Sequence, residues 1–379
     1  MVKENAASQV YLAGVRAVKE GDSKIKKIER LFAAAGFDRL FAPEDLCAVK
    51  MHFGERGNDS FLQPVFVRAV TRLIKKTGAR PFLTDTNTLY RGERHNAVAH
   101  TLLALEHGFS YATVEAPVII ADGLRGHCFT EVPVKLKHFQ KLSLANAIVQ
   151  ADGMVLLSHF KGHVLAGFGG ALKNLAMGCA PARGKKEQHQ ANFLVTPEKC
   201  AACGQCMAHC PEKAIVWAKL PAGSKKHAEI KSQPCIGCGE CMAMCKSEAI
   251  NLDFTSERLA FTERMIEYAY GAAGLHPQKT AYINFLLNIT PDCDCIPWSD
   301  APLVPDIGIL ASLDPVALDK ACYDLVNAQV GFADSQLRCN HAAGEDKFKG
   351  SYSKSIGEAQ FQYAESLGLG RTAYELIRV

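Results

Sequence analysis

Eight cysteines stand in two runs of equal spacing, Cys200, Cys203, Cys206 and Cys210, then Cys235, Cys238, Cys241 and Cys245. Each run reads C-x2-C-x2-C-x3-C. A four-iron cubane needs one soft thiolate at each iron, and three cysteines on one tight turn reach three corners of the cube. The fourth corner needs a distant ligand. The spacing therefore predicts that Cys200, Cys203, Cys206 and Cys245 hold one [4Fe-4S] cluster, and that Cys235, Cys238, Cys241 and Cys210 hold a second. Gly204, Gly237 and Gly239 suit a chain that wraps a cluster and brings amides close to sulfur. Pro211 closes the first run, whereas Lys246 stands at that place in the second and puts a cation beside its cluster.

Tetrahedral zinc is the competing use of four thiolates, but zinc motifs usually present two C-x2-C pairs rather than a doubled three-plus-one run. A disulfide framework fits small secreted domains; 379 residues without a signal-like start point instead to a reducing cytoplasm. The net charge of +4 is too mild and dispersed for nucleic acid. No apolar run is long enough for a membrane span; Ala281 to Ile289, among the longest, is interrupted by Asn284 and Asn288.

A second group of chemical residues precedes the cysteines. His159, Lys161, His163 and Lys173 crowd a loop that also holds Gly169 and Gly170. Titratable groups so placed suggest a pocket, with His163 and Lys173 as catalytic candidates and His159, Lys161, Gly169 and Gly170 as cofactor-binding candidates. Glycines before a helix also expose backbone N–H groups to an anion, although close helix-on-sheet packing asks for the same glycines. Cys293 and Cys295, flanked by Asp292 and Asp294, form a possible further metal site with His189; a plain turn and a solvated histidine are the alternatives. His52, Glu55, Asp85, Asn87 and Tyr90 follow other strand-like runs and could touch a ligand or merely cap turns. Cys179 reads as a buried filler, and Cys47, Cys128, Cys322 and Cys339 have no visible partner.

The elements that must hold these groups alternate. Val10–Val15, Leu46–Phe53, Pro81–Thr86, Val118–Ala121 and Met154–His159 are short apolar runs suited to strands, with helical spacing over Asp22–Gly36 and Pro64–Gly78. After the cysteines come a helix near Ser256–Gly271, strands near Ala281–Ile289 and Ile307–Ala311, and a helix started by Asp314-Pro315. Such alternation implies an α/β fold, a mostly parallel sheet with flanking helices. The cysteine segment interrupts it, so residues 195–253 are expected to form an inserted small α+β domain, ferredoxin-like and carrying both clusters, between host parts 1–194 and 254–379. In a parallel sheet, chemistry belongs beyond the carboxyl ends of the strands.

The tract His159-Phe160-Lys161-Gly162-His163, continued by Phe168-Gly169-Gly170-Ala171-Leu172-Lys173-Asn174, resembles a family known as domain of unknown function 362, whose cluster-bearing members are iron-sulfur centre proteins. Lys50-Met51-His52-Phe53-Gly54-Glu55, Asp85-Thr86-Asn87-Thr88-Leu89-Tyr90 and Ala311-Ser312-Leu313-Asp314-Pro315-Val316-Ala317 are similar to other signatures of that family. The stretch Ala151 to Lys173 also resembles the N-terminal domain of nickel-dependent lactate racemases. That resemblance implies an acid/base at His163, a cofactor-attaching lysine at Lys173 and a metal ligand at His189, with Ala171-Leu172 standing where the racemases carry an arginine.

Three functions follow as expectations. The first is an iron–sulfur oxidoreductase that takes single electrons from a soluble protein donor and passes them through two [4Fe-4S] clusters to an unknown substrate or further cofactor in the host pocket. A carrier alone would need only the cysteine segment. The second is a non-enzymatic electron carrier or docking protein. The third is a racemase-like isomerase using His163, Lys173 and His189.

Overall fold

Alternating apolar residues place two cores on opposite faces of one seven-stranded sheet. The computed structural model describes residues 7–90, 92–190, 192–210, 212–219, 221, 223–235, 240–253 and 258–379. Its strands are β1 (Ser8–Gly14), β2 (Leu46–Lys50), β3 (Arg80–Thr84), β4 (Gly153–His159), β5 (Thr280–Leu286), β6 (Gly308–Ser312) and β7 (Tyr374–Arg378), in spatial order β7-β1-β6-β5-β4-β2-β3. Only β6 runs against its neighbours; the other pairs are parallel. Met154 and Leu156 of β4 enter one core, and Val155 and Leu157 enter the other, as the two-residue period of a strand requires.

Two helices, α1 (Lys24–Ala34) and α2 (Pro64–Lys76), close the second core with Ile28, Leu31, Val67 and Ile74. The first is closed by α3 (Ala171–Cys179), α5 (Arg258–Ala273) and α6 (Pro315–Asn327), through Leu172, Leu175, Met265 and Leu318; α4 (Ala182–His189) follows α3. Asp314 caps α6 as its sequence suggests, accepting the amides of Val316 at 2.8 Å and Ala317 at 3.0 Å. The fold is thus α/β, with a mostly parallel sheet between helical layers.

Two elements differ from expectation. The run Val118–Ala121 forms no strand of its own but joins the edge of the sheet by a parallel bridge between Val118 and Leu83, beyond which the Ala121 N–H donates to the Asp85 carbonyl at 2.9 Å. The edge strand β7 was not anticipated from its short, half-exposed Tyr374–Arg378 run.

In the cysteine segment, Asn192–Val195 pairs antiparallel with Ile250–Asp253, so the chain enters and leaves side by side. Ile215–Trp217 pairs with Ala228–Ile230. The segment has a small core of its own, including Phe193, Ile215, Met242 and Ile250, on which Leu89 and Ala182 of the host also pack. Among the described residues, no helix is long and apolar enough to cross a membrane.

Candidate functional site

Parallel strands that end together leave a crevice at their carboxyl ends. Here β2 ends at Lys50, in register with Leu156 of β4, and β4 ends at His159. The cavity beyond them holds about 370 Å³ and is lined by His159, Lys161, His163, Gly169, Gly170 and Lys173. It also takes His189, Cys293 and Cys295 from two other parts of the chain. Every host residue singled out as a catalytic, cofactor or further-metal candidate therefore meets in one space. Among the described residues, however, no three His, Cys, Asp or Glu side chains are grouped to hold a metal ion, and Cys293, Cys295 and His189 are no exception.

Asp294 organises one wall. Its Oδ1 lies 2.8 Å from His159 Nδ1 and accepts from Ser60 Oγ at 3.1 Å, while Oδ2 lies 3.3 Å from Lys161 Nζ. Burial alone would raise this carboxyl, but His159 and Lys161 hold it well below the usual carboxylate range. The loop is thereby pinned with Cys293 and Cys295 turned to the cavity. Lys173 Nζ lies 3.4 Å from Cys293 Sγ. Despite burial, its neighbour Cys295, with Lys173 and Lys161, keeps the Cys293 thiol well below its ordinary value. Cys295 is pushed up by Cys293 and by burial.

His163 is held in one tautomer. Its Nδ1 accepts the backbone N–H groups of Leu165 at 3.2 Å and Ala166 at 3.0 Å, so a neutral ring carries its proton on Nε2. Burial, Lys173 and His189 drive its pKa well below the ordinary imidazole value. The ring is set to donate a hydrogen bond rather than to take a proton. His189 stacks on Phe261 with ring centroids 4.8 Å apart and is pushed by burial, then Lys173, down to about 3.

The helix that follows the glycines is already capped. Asp319 of α6 accepts the amides of Ala171 at 2.8 Å and Leu172 at 2.9 Å, and the side-chain amide of Asn284 at 2.6 Å. The N-terminus of α3, a candidate cradle for an anionic ligand, is thus occupied by a carboxylate of the protein. A Cβ on Gly170 would come within 2.8 Å of Asp319 Cγ and of the Phe160 ring, so close packing explains that glycine.

Three cations on the walls, Lys50, Arg94 and Lys185, were not among the candidates. Lys50 Nζ pairs with Asp85 Oδ1 at 2.9 Å and donates to Asn174 Oδ1 at 2.7 Å. Arg94 pairs with Glu55 Oε2 at 3.1 Å, donates to Tyr90 Oη at 2.8 Å and lies 2.9 Å from His52 Nε2. Lys185 donates to the carbonyls of Asn87 at 2.8 Å and Ala180 at 2.7 Å, and burial pushes it down to about 8. Lys50, Lys161, Lys173, Lys185 and Arg94 all line the cavity, against Asp85 and Asp294. The excess of cations suits an anionic ligand. Helical or strand periodicity carries no signal for Lys50; its clues in the sequence are its place at a strand's carboxyl end and in the tract Lys50 to Glu55. Of the secondary candidates, His52, Asp85 and Tyr90 line the cavity, while Asn87 turns to Asp122 at 2.9 Å. Cys179 is buried filler, its thiol raised to about 11 by burial.

In the cysteine segment, Cys200, Cys203, Cys206 and Cys245 line one cavity together with Trp217 and Ile250. Three of these lie in the first run and one closes the second. The fourth cysteine of each run accepts an amide four residues on: Ala214 N–H to Cys210 Sγ at 3.2 Å, and Ala249 N–H to Cys245 Sγ at 3.3 Å. Gly204 has φ of 74° in the turn between the thiols. Cys210, Cys235 and Cys241 gather around the same small core; Cys238, with Pro211, Gly237 and Gly239, lies outside the described residues. These four thiols line one space and are soft donors of the kind a cubane takes, although among the described residues they too are not drawn together as a metal-holding group.

The site and sheet define an α/β protein with a cationic, thiol-bearing pocket at the ends of its parallel strands. The chain belongs to the family described as domain of unknown function (DUF362), whose model matches residues 47–324. Comparison with curated proteins found no match. Among solved structures, the lactate racemase apoprotein from Thermoanaerobacterium thermosaccharolyticum is similar at 12% identity and a TM-score of 0.33, over 66% of this chain and 50% of that one. A protein from Thermotoga maritima is similar at 9% identity and a TM-score of 0.36, over 71% and 52%. The chain thus spans about half the length of each.

Proposed function

We propose that this protein is an iron–sulfur oxidoreductase in which an inserted segment, residues 195–253, relays single electrons to an anionic small molecule held in the host cavity. When bound, the two [4Fe-4S] clusters would supply the electrons; Cys200, Cys203, Cys206 and Cys245 would hold one, and Cys210, Cys235, Cys238 and Cys241 the other. The observation that carries this reading is contact. Leu89 packs into the cysteine segment's core with Tyr90 against it, and both residues line the cavity. Lys186 of α4 donates to the Cys235 carbonyl at 2.5 Å, so the second set abuts the host. Cys203 of the first set is exposed, which suits a protein donor docking on that side.

Within the cavity the chain's own groups bind and orient. Lys173, Lys185 and Lys50 draw an anion, and His163 offers Nε2–H to it. Asn174 ties α3 to β4 through Leu157 O at 3.2 Å and Ser158 Oγ at 3.0 Å, fixing Lys173 relative to the sheet. Anaerobic reconstitution followed by metal analysis and electron paramagnetic resonance tests the proposal: about eight irons per chain and two reducible signals are expected. Stoichiometric zinc, or iron that cannot be reduced, would overturn it. Loaded protein whose electron transfer to every small-molecule acceptor is indifferent to His163→Ala and Lys173→Ala would instead be a carrier with a docking body.

A further inference from the structure

Two cysteines outside the eight-thiol set face the cavity. Cys293 is 5% exposed and lies with Cys295 on a loop whose middle residue, Asp294, is 1% exposed and turned inward. That residue is gripped by His159, Ser60 and Lys161, and its carbonyl accepts the Glu55 amide at 2.9 Å. The Tyr90 hydroxyl donates to the Cys295 carbonyl at 3.4 Å. With the backbone held from both sides, both flanking cysteines line the cavity, one residue apart. The cations differ in what they face. Lys50 pairs with Asp85, Arg94 with Glu55 and Lys161 with Asp294, whereas Lys173, among the described residues, contacts the sulfur of Cys293 and no carboxylate.

We propose that Cys293 and Cys295 are a redox dithiol that reduces a small anionic disulfide in this cavity, Cys293 attacking and Cys295 resolving. The regeneration step rests on the electron-transfer reading above. Cys293 thiolate forms a bond to one sulfur of the substrate, the substrate's S–S bond breaks, and one organic thiolate leaves. Cys295, passing its proton to the departing sulfur, then attacks the Cys293 sulfur and expels the second half of the substrate as a thiol, leaving an intramolecular disulfide. Two electrons, which the clusters when bound and reduced would supply, and one proton would restore a thiolate at Cys293 and a thiol at Cys295. The surrounding cations hold the carboxylates of the substrate, and Lys173 stays beside the reacting sulfur throughout.

The test uses the full chain, loaded with clusters, reduced by dithionite and desalted anaerobically. Dithiodipropionate is added, and cysteine-containing peptides are mapped by mass spectrometry while cluster absorbance is followed. The expected results are a Cys293–Cys295 disulfide that disappears as the clusters oxidise, a mixed disulfide trapped on Cys293 in Cys295→Ser, and neither product in Cys293→Ser. Lys173→Met should slow dithiodipropionate roughly tenfold while leaving neutral hydroxyethyl disulfide much less affected. Absence of any Cys293 adduct in cluster-loaded, reducible Cys295→Ser protein overturns the dithiol and leaves electron transfer standing. Adduct formation in a chain that binds no iron supports the dithiol and removes the electron-transfer reading instead.

Discussion

At the scale of single residues, burial decides which groups around the pocket carry charge. His100, 3.8 Å from Asp85 of the cavity wall, is fully buried, neither ring nitrogen has a hydrogen-bond partner among the described residues, and burial pushes it down to about 3. Below the ordinary imidazole value near 6.5, the unfolded chain binds a proton that the folded chain refuses, so stability contributed above that pH is lost as pH falls toward 3. His100→Phe should therefore flatten the loss of urea resistance between neutral and acid pH, as fluorescence-detected unfolding across that window would show. Gly170 makes a steric argument of the same size. Gly170→Ala should displace Asp319 from the start of α3 and cost about 2 kcal/mol in a urea midpoint. Asp319→Ala, which abandons the two amides, should cost about 1–3 kcal/mol. Nothing in the local sequence around Gly170 announces Asp319, which arrives from a helix far along the chain.

At the scale of elements, two pieces would carry the proposed relay from thiols to pocket. One is the Leu89-Tyr90 stretch after β3, shared by the cysteine segment's core and the cavity wall. Leu89→Asp places a charge in that apolar contact and should slow reduction of cavity-bound acceptors at least tenfold, with iron content unchanged, in stopped-flow mixing with reduced protein. Equal loss of iron would mean instead that the contact serves assembly. The other is the proposed crossing of ligands between the two cysteine runs. Spacing alone predicts it, because three thiols of one turn leave a cube one ligand short. Cys200, Cys203, Cys206 and Cys245 line one cavity.

At the scale of the whole molecule, two bodies of unequal self-sufficiency share one chain. The host has a two-faced sheet and large cores; the cysteine segment has a handful of apolar side chains and short two-stranded ribbons. On the proposed reading, a body so small would depend on its clusters for stability. Removing iron with a chelator should expose residues 196–249 to limited proteolysis while the host resists, since Asn192–Val195 and Ile250–Asp253 anchor the segment at its base.

What the sequence determined by itself is what repeats or alternates at short range: the thiol spacing, the parallel α/β alternation, the capped start of α6, and a crowded loop from His159 to Lys173. Periodicity and ligand spacing are local properties, so they survive without coordinates. Only the tertiary structure decided that Lys50, Arg94 and Lys185 join the same cavity, that Cys293 meets Lys173, and that Asp319 takes the amides open to an anion. Those are meetings between residues more than a hundred positions apart in several cases, and no local pattern encodes them. Tertiary contact likewise decided that the thiol-rich segment rests on the pocket wall, because burying Leu89 in its core brings the two together.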